Sequence, residues 1–377
     1  MPRPDAGRPL ACFARSASLG RVARAKGRRT ILGIAVASDA DRASGPTRRA
    51  FGLGGAALAS GCARGARAVR IIVGSGAGAA SDALARLAAK HLRLKFGLAI
   101  TVEDEPRGGG KLAAARLAGS PPGDGVIAFL PTGLLYASLL REPGVTWDLA
   151  AFGWIGSFSS DRRVLVVSAR AGATSFEQIL QRRRVLVAPC TSASAPGYYE
   201  TRILDHLTGA RLKPVPGFPG GGRSLAFFSG EAQALIGTYD GLGGVLELPG
   251  ARVVLRLNDL PLPARIQPPT LSSFARGPDA PALTGLVEAH AALGRIAALA
   301  PGSPPQAVAL WRARFADLTK DQGFLAEAKA HGFMIEPTPG AAVQQRLAGL
   351  LSAGGGVRDA LVRALSCGGA GCPAQDA

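Results

Sequence analysis

The chain is poor in the residues that metal, redox and nucleic-acid chemistry draw on. It has four histidines and five cysteines in 377 residues. Cys12, Cys62, Cys190, Cys367 and Cys372 show no zinc-finger spacing. His91, His206, His290 and His331 fall in or beside helical segments, apart from the glycine-rich loops, with no Cys or carboxylate at ligand spacing, so neither a metal nor a cofactor is expected. Aromatic residues make up 6% of the chain and do not interleave with basic runs, as nucleic-acid platforms require. No uninterrupted apolar run reaches 18 residues; the best near the start, residues 31–37, is too short to span a bilayer. No repeat of solenoid period occurs.

Acidic residues are also scarce, 26 against 44 Lys and Arg, for a net charge of +18. Residues 1–68 carry +10 of this and the remainder +8, scattered. The one cluster, Arg182-Arg183-Arg184, suits a helix end or a solvated face. Such a distribution favours anionic ligands over nucleic acid. What the chain does have is a 47% hydrophobic composition, ample for a two-domain core.

Thr47-Arg48-Arg49-Ala50-Phe51-Gly52-Leu53, followed by a Gly/Ala-rich stretch to Gly61, resembles a twin-arginine export signal, with Gly52 where leucine is usual. Ala66-Arg67-Ala68 has the small-x-small form of a cleavage site. Ala59-Ser60-Gly61-Cys62 resembles a lipobox that would lipidate Cys62, but its leucine, Leu58, is one place off, so simple cleavage is favoured. Residues 1–68 are therefore read as an export segment with a long basic start, and the mature protein as periplasmic.

From Val69 the pattern turns regular. Residues 69–73 form a β-branched strand, 83–90 a helix, 98–103 a strand, 111–118 a helix and 126–130 a strand. This alternation implies an α/β protein with a mainly parallel sheet. Further strands are read at 164–167, 185–188, 234–236 and 253–257. Helices are read from Ser175 and at 198–207, 224–229, 306–318, 324–331 and 341–351. The tail, 356–377, reads as disordered; Cys367 and Cys372 within it could pair or stay free.

Two loops invite a ligand. Gly74-Ser75-Gly76-Ala77-Gly78-Ala79 joins a strand to a helix and fits the G-x-G-x-x-G/A template, with Glu103 and Asp104 ending the next strand. An exported dinucleotide-dependent oxidoreductase is therefore one reading. Small residues at a strand end also gather amide N–H groups beside a helix N-terminus, which suits any anion, carboxylate included; a plain tight turn is the third reading. A second such loop, Pro189-Cys190-Thr191-Ser192-Ala193-Ser194-Ala195-Pro196-Gly197, lies in the other half of the chain. Two anion-competent loops suit a cleft between two domains. Cys190 has no histidine near it in sequence, so a thiol enzyme is not expected.

These residues resemble, in collinear order over about residues 69–352, the solute receptors of tripartite tricarboxylate transporters, the Bug family. The resemblance is carried by strand 69–73 with Gly74 to Asp82 and Leu84-Ala85-Arg86, and by Val102-Glu103-Asp104-Glu105-Pro106-Arg107-Gly108-Gly109-Gly110. Pro122-Gly123-Asp124-Gly125, Thr174-Ser175-Phe176-Glu177, Pro214-Val215-Pro216-Gly217, Ser229-Gly230-Glu231-Ala232-Gln233-Ala234 and Leu299-Ala300-Pro301-Gly302-Ser303-Pro304 continue it. Gly74, Ser75 and Gly76 stand where proline, an aromatic and proline are common; Pro189 and Cys190 stand where small polar residues are usual.

The resemblance implies a type II periplasmic-binding fold: two α/β lobes, 69–167 plus 258–355 and 168–257, joined by two hinge crossings near Ser168 and Leu257. It implies a non-enzymatic receptor for a small carboxylate, working as a monomer with membrane transporter subunits as partners. Ligand contacts would come from Gly76, Ala77, Gly78, Ser81, Asp82, Thr132 and Gly133 in the first lobe. Thr191, Ser192, Ser194 and Ala195 would supply them in the second. Asp240 is a cleft-facing acid or an exposed turn residue, and Asp82 a ligand contact or only a helix N-terminal charge.

Overall fold

The computed structural model describes residues 68–218, 221–352 and 354–366. The export segment, the lipobox cysteine and the Cys367/Cys372 pair lie outside these residues. Eleven strands are described: β1 (Ala68–Val73), β2 (Ala99–Asp104), β3 (Val126–Leu130), β4 (Gly153–Ser157), β5 (Arg163–Val167), β6 (Leu186–Pro189), β7 (Leu212–Val215), β8 (Ala234–Thr238), β9 (Arg252–Arg256), β10 (Ile296–Leu299) and β11 (Thr338–Pro339). They form a six-stranded sheet of order β11-β4-β10-β3-β1-β2, a three-stranded sheet β8-β5-β9 and a parallel pair β6-β7.

The first sheet is apolar on both faces. Val69, Ile71 and Val73 of β1 join one core cluster with Ile127 and Phe129 of β3, while Ile72, Ala128 and Leu130 join the other. This is the two-residue period of a strand covered by helices on both sides, and it explains the continuous apolar runs of β3 and of Ile71–Val73 in β1. One face is covered by the helices Ala80–Phe96, Pro305–Leu318 and Gln322–Ala330, through Leu84, Trp311, Phe315 and Phe324. The opposite face carries Lys111–Ala118, Leu134–Leu140, Ala280–Ala291 and Gly340–Ser352. This second cluster runs on into the other lobe, taking in Leu165, Val167, Ile203, Leu204 and Leu255. The two lobes therefore share one apolar core on that side.

Four expectations change. The first sheet is mixed: β2, β1 and β3 are parallel, but β10 runs antiparallel to β3 and β4. Residues 164–167, placed with the first lobe by sequence, pair with β8 and β9, both antiparallel. The chain thus leaves the first sheet between Ser157 and Arg163, ahead of Ser168. Strand β4 was not legible: its glycines break the apolar run, yet Gly156 is needed because a Cβ there would lie 2.4 Å from the Phe315 ring. Finally, the supposed disordered tail begins with the helix Gly354–Ser366, which packs on Pro196–Thr208 and Ala280–Ala291 and buries Ala360, Leu361 and Ala364.

Asn258 ties the two crossings between sheets together. Its Nδ2 donates to Asp161 O (2.8 Å), and Leu257 N donates to Arg163 O (2.9 Å). Outside the shared core, Asp279 anchors the last helix: Arg363 Nε (3.0 Å) and His206 Nε2 (2.9 Å) both reach its Oδ2. The Arg363 guanidinium, followed by His206, holds the Asp279 carboxyl down at about 2.

If the last helix is integral, Leu361→Ala empties a fully buried site. It should cost about 2–5 kcal/mol in urea denaturation, as large-to-small core changes do. A frayed tail would give no change.

Candidate functional site: a junction of strand-end loops between the lobes

The loops after β1, β2 and β3 meet at the carboxyl ends of parallel strands, where open α/β sheets place ligands. A Cβ on Gly74 would lie 2.5 Å from Pro131 Cδ, and one on Gly110, whose φ is +88°, 2.4 Å from Pro131 Cγ. Only glycine allows these three loops to pack edge to edge. The far side of the junction is the loop after β6. A Cβ on Gly109 would meet Ser194 Cβ at 3.2 Å and Ser192 Oγ at 3.4 Å, and one on Gly133 would meet Pro196 Cδ at 2.9 Å. The two loops singled out by sequence are thus brought to one junction, through 109–110 and 131–133.

Their donors are unspent. Among the described residues, the amides of Ser75, Gly76 and Ala77, and of Thr191 to Ser194, donate to no protein group. The hydroxyls of Ser75 and Ser192 are shielded from solvent and have no hydrogen-bond partner. Buried polar groups are ordinarily satisfied, so these two hydroxyls, with the unpaired amides, leave unspent hydrogen-bonding capacity in the loops that form the junction.

Other expected residues are already engaged. Asp82 is buried and turned onto its own loop: Oδ2 accepts from Gly78 N (2.8 Å) and Oδ1 lies 2.6 Å from Arg86 Nε. It closes the loop and leaves Gly78 no free amide. Ser81 is half-buried in the first helical turn. Thr132 Oγ1 bonds His290 Nε2 at 2.7 Å. Ala195 is buried and donates its amide to Ser192 O (3.2 Å), while Thr191 is exposed. Asp240 is half-buried among Arg162, Arg295, Asp161 and Glu336, where burial raises its pKa; these neighbours place it beside the crossings.

Sequence reading missed the side chains that join the lobes here. Glu142, past the end of helix Leu134–Leu140, accepts from Lys111 Nζ (3.0 Å), Ser194 Oγ (3.0 Å) and the Tyr199 hydroxyl. Arg163 of β5 forms a buried bidentate pair with Glu200 of helix Pro196–Thr208, Nε to Oε1 at 2.8 Å. His290, which sequence placed away from the loops, lies between Thr132 and Glu200, with Nδ1 3.5 Å from Glu200 Oε1. A proton on Nδ1 suits that carboxylate and leaves Nε2 to accept from Thr132. Burial, then repulsion by Arg163, drives the His290 pKa down to about 3, so the ring is neutral. Tyr136 stacks on Tyr199, ring centroids 4.7 Å apart. Nothing local in the sequence signals these pairs, whose partners lie 31 to 158 residues apart.

The arrangement does not suit a dinucleotide. Glu103 and Asp104, the candidate ribose acids, are held by Arg116 (2.7 Å) and Arg86 (2.8 Å). Asp82, with its charge, occupies one loop amide that a pyrophosphate would take. Cys190 is buried with its pKa pushed up to about 11, chiefly by burial, so its thiol is protonated at neutral pH and a poor nucleophile. Among the described residues no cluster of His, Cys, Asp and Glu could hold a metal, and no helix is long and apolar enough to cross a membrane.

No protein-family model and no curated protein matches the sequence. Solved structures do match the fold. A TctC solute-binding protein from Polaromonas superposes with a TM-score of 0.60 at 16% identity, over 79% of this chain and 98% of its own. The periplasmic binding protein BugD gives 0.62 at 15%, over 79% and 97%. MatC from Rhodopseudomonas palustris, with bound malate, gives 0.60 at 19%, over 80% and 98%. The fold is thus that of the two-lobed periplasmic solute-binding proteins, of the type seen in the receptors of tripartite tricarboxylate transporters.

His290 yields a pH signature. Its folded pKa of about 3 lies below the ordinary 6.5, so between these values the unfolded chain binds the extra proton. Its contribution is complete above pH 6.5 and falls as the pH drops toward 3, by up to about 1.4 kcal/mol per pH unit. Urea denaturation at pH 7 and pH 4.5 should show a smaller loss for His290→Gln than for the parent protein.

Proposed function

We propose that the protein is an exported, periplasmic solute-binding receptor that holds a small carboxylate-bearing ligand between its lobes and performs no chemistry on it. The observation that carries this reading is the meeting, at one junction, of unpaired amides and two orphan hydroxyls from the strand-end loops of both lobes. A carboxylate, acceptor-only and with about four lone-pair sites, complements these unspent amide and hydroxyl donors. MatC, which shares the fold, holds malate.

In this reading one lobe is built on the six-stranded sheet and the other on the three-stranded sheet and the β6-β7 pair. The segments around 158–162 and 257–258 serve as hinges, and closure brings 190–196 against 106–110 and 131–133. Gly76, Ala77, Ser192 and Ser194 supply the ligand donors, with Ser75 added to the set inferred from sequence. Residues 1–68 direct export, with cleavage near Ala68, and transporter subunits in the membrane read the closed, monomeric form.

The test is a thermal-shift titration of the full chain with mono- and dicarboxylates, malate among them, and with NAD and NADP. A ligand of the native state raises the midpoint in a concentration-dependent way. A carboxylate is expected to do so, and Ser192→Ala to weaken it by roughly 5- to 10-fold, the worth of one hydrogen bond. A response to NAD or NADP alone would overturn the receptor reading.

A further inference from the structure

The second lobe carries a basic pole at the end opposite its ligand loop. Residues 168–185, 209–213 and 225–233 meet there, after β5 and ahead of β6, β7 and β8. Arginine side chains tie these segments together through backbone carbonyls. Arg170 Nη1 donates to Ser229 O (3.0 Å), at the end of the helix Gly222–Ser229. Arg182 Nη1 donates to Gly172 O (3.0 Å), and Arg211 Nη1 to Arg183 O (3.1 Å). The segments hold six basic residues, Arg170, Arg182, Arg183, Arg184, Arg211 and Lys213, against two acids, Glu177 and Glu231. All but Arg182 are exposed. Among the described residues none of the eight forms an ion pair, and the side chains of Arg183 and Arg184 make no hydrogen bond. The cluster at 182–184 is therefore largely unspent on protein partners. Apolar side chains stand beside it. Leu225 and Phe228 are 67% and 47% exposed on the helix whose last carbonyl Arg170 holds, and Val185, next to Arg184, is 40% exposed. Large apolar side chains left in water among cations mark a contact surface.

We propose that this pole docks on an anionic phospholipid surface, with its arginines on lipid phosphates and Val185, Leu225 and Phe228 at the edge of the acyl region. The charges come from three segments and spread over the pole, so they suit a field of negative charge better than one acidic side chain. The guanidinium groups of Arg170, Arg182 and Arg211 are already steadied by carbonyls and keep further N–H donors for phosphate oxygens. Exposed apolar side chains among the cations supply the second signal that stable attachment to a bilayer needs. Strand β6 runs from this pole to the second ligand loop, four residues or about 13 Å. A docked molecule therefore keeps its cleft clear of the bilayer, and the proposal is independent of the ligand that the cleft takes.

The experiment uses the full chain with Phe228→Trp as reporter. The three native tryptophans are buried, so the emission added at position 228 reads this pole and not the basic residues 1–68. Vesicles of equimolar phosphatidylglycerol and phosphatidylcholine should shift that emission to the blue, whereas pure phosphatidylcholine should not. Arg170→Gln, Arg183→Gln and Arg184→Gln together should raise the lipid needed for half the shift by about 100-fold, at about fivefold per charge near the surface. Arg170→Lys, Arg183→Lys and Arg184→Lys together keep the charge and should stay within about fivefold of the reporter chain. Lys320→Gln, Lys329→Gln and Arg346→Gln together, exposed on the first lobe, should change the response by less than about threefold, since remote charges are screened.

No shift with the anionic vesicles overturns the proposal. So does an equal shift with pure phosphatidylcholine, an unchanged response in the Arg170, Arg183 and Arg184 glutamine triple, or an equal loss in the first-lobe triple. Binding of polyglutamate or duplex DNA that needs the same three arginines, with no vesicle response, assigns the pole to an acidic macromolecule and likewise overturns it. Melting midpoints of both glutamine triples are expected within about 2 °C of the parent, as for exposed side chains, and separate lost docking from a lost fold.

Discussion

The junction between the lobes depends on one buried ion pair. Arg163 enters the second sheet at the first residue of β5, and Glu200, fully buried, meets it from the helix that follows the second ligand loop. Two charges removed from water are tolerable only when both are fully engaged, and here Arg163 engages both carboxylate oxygens. The pair sets the depth of the helix against the sheet, and hence the position of Ser192 and Ser194 at that helix's entrance. His290, bonded to Thr132 and 3.5 Å from Glu200, brings the loop after β3 up against this pair inside a shared apolar core. Removing either charge would strand the other.

Small residues do the rest of the positioning. Gly74 and Gly110 let three strand-end loops close on Pro131, and Gly109 and Gly133 let the result press on the second lobe. The site is thus made of backbone held at close approach, with few side chains pointing inward. Ser75 and Ser192 are the exceptions, and the Lys111–Glu142 pair brings opposite charges to the junction.

The parts of the fold legible in the sequence were those governed by local pattern. The β-branched run at 69–73, the helix at 111–118 and the strand at 126–130 agree closely with β1, the Lys111–Ala118 helix and β3. β4 and β10 escaped notice because Gly153 and Gly156, and Ala297 and Ala298, replace the β-branched residues that announce a strand. The last helix was hidden by Gly354, Gly355 and Gly356, although Ala360, Leu361 and Ala364 recur at helical spacing just beyond. Both loops of the candidate site were legible from composition. Of the two roles the sequence leaves open for Asp82, the structure shows it engaged by its own loop amide and by Arg86 at the helix start. Glu142 and His290 carry no local mark; they matter through partners that only the tertiary fold decides.

Glu142 gives the cleft a property of its own. It is a carboxylate already seated on the hydroxyls of Ser194 and Tyr199 from the other lobe, with Lys111 of its own lobe as counter-ion. In the proposed receptor, an incoming acid would meet a protein that has bound itself. Affinity is then measured against this self-ligated state and falls by the fraction of time that the internal carboxylate holds the lobes together. In the proposed receptor, this one side chain, bonded to Ser194 of the second loop and to Lys111 beside Gly110, would set how much ligand is needed to displace the internal carboxylate.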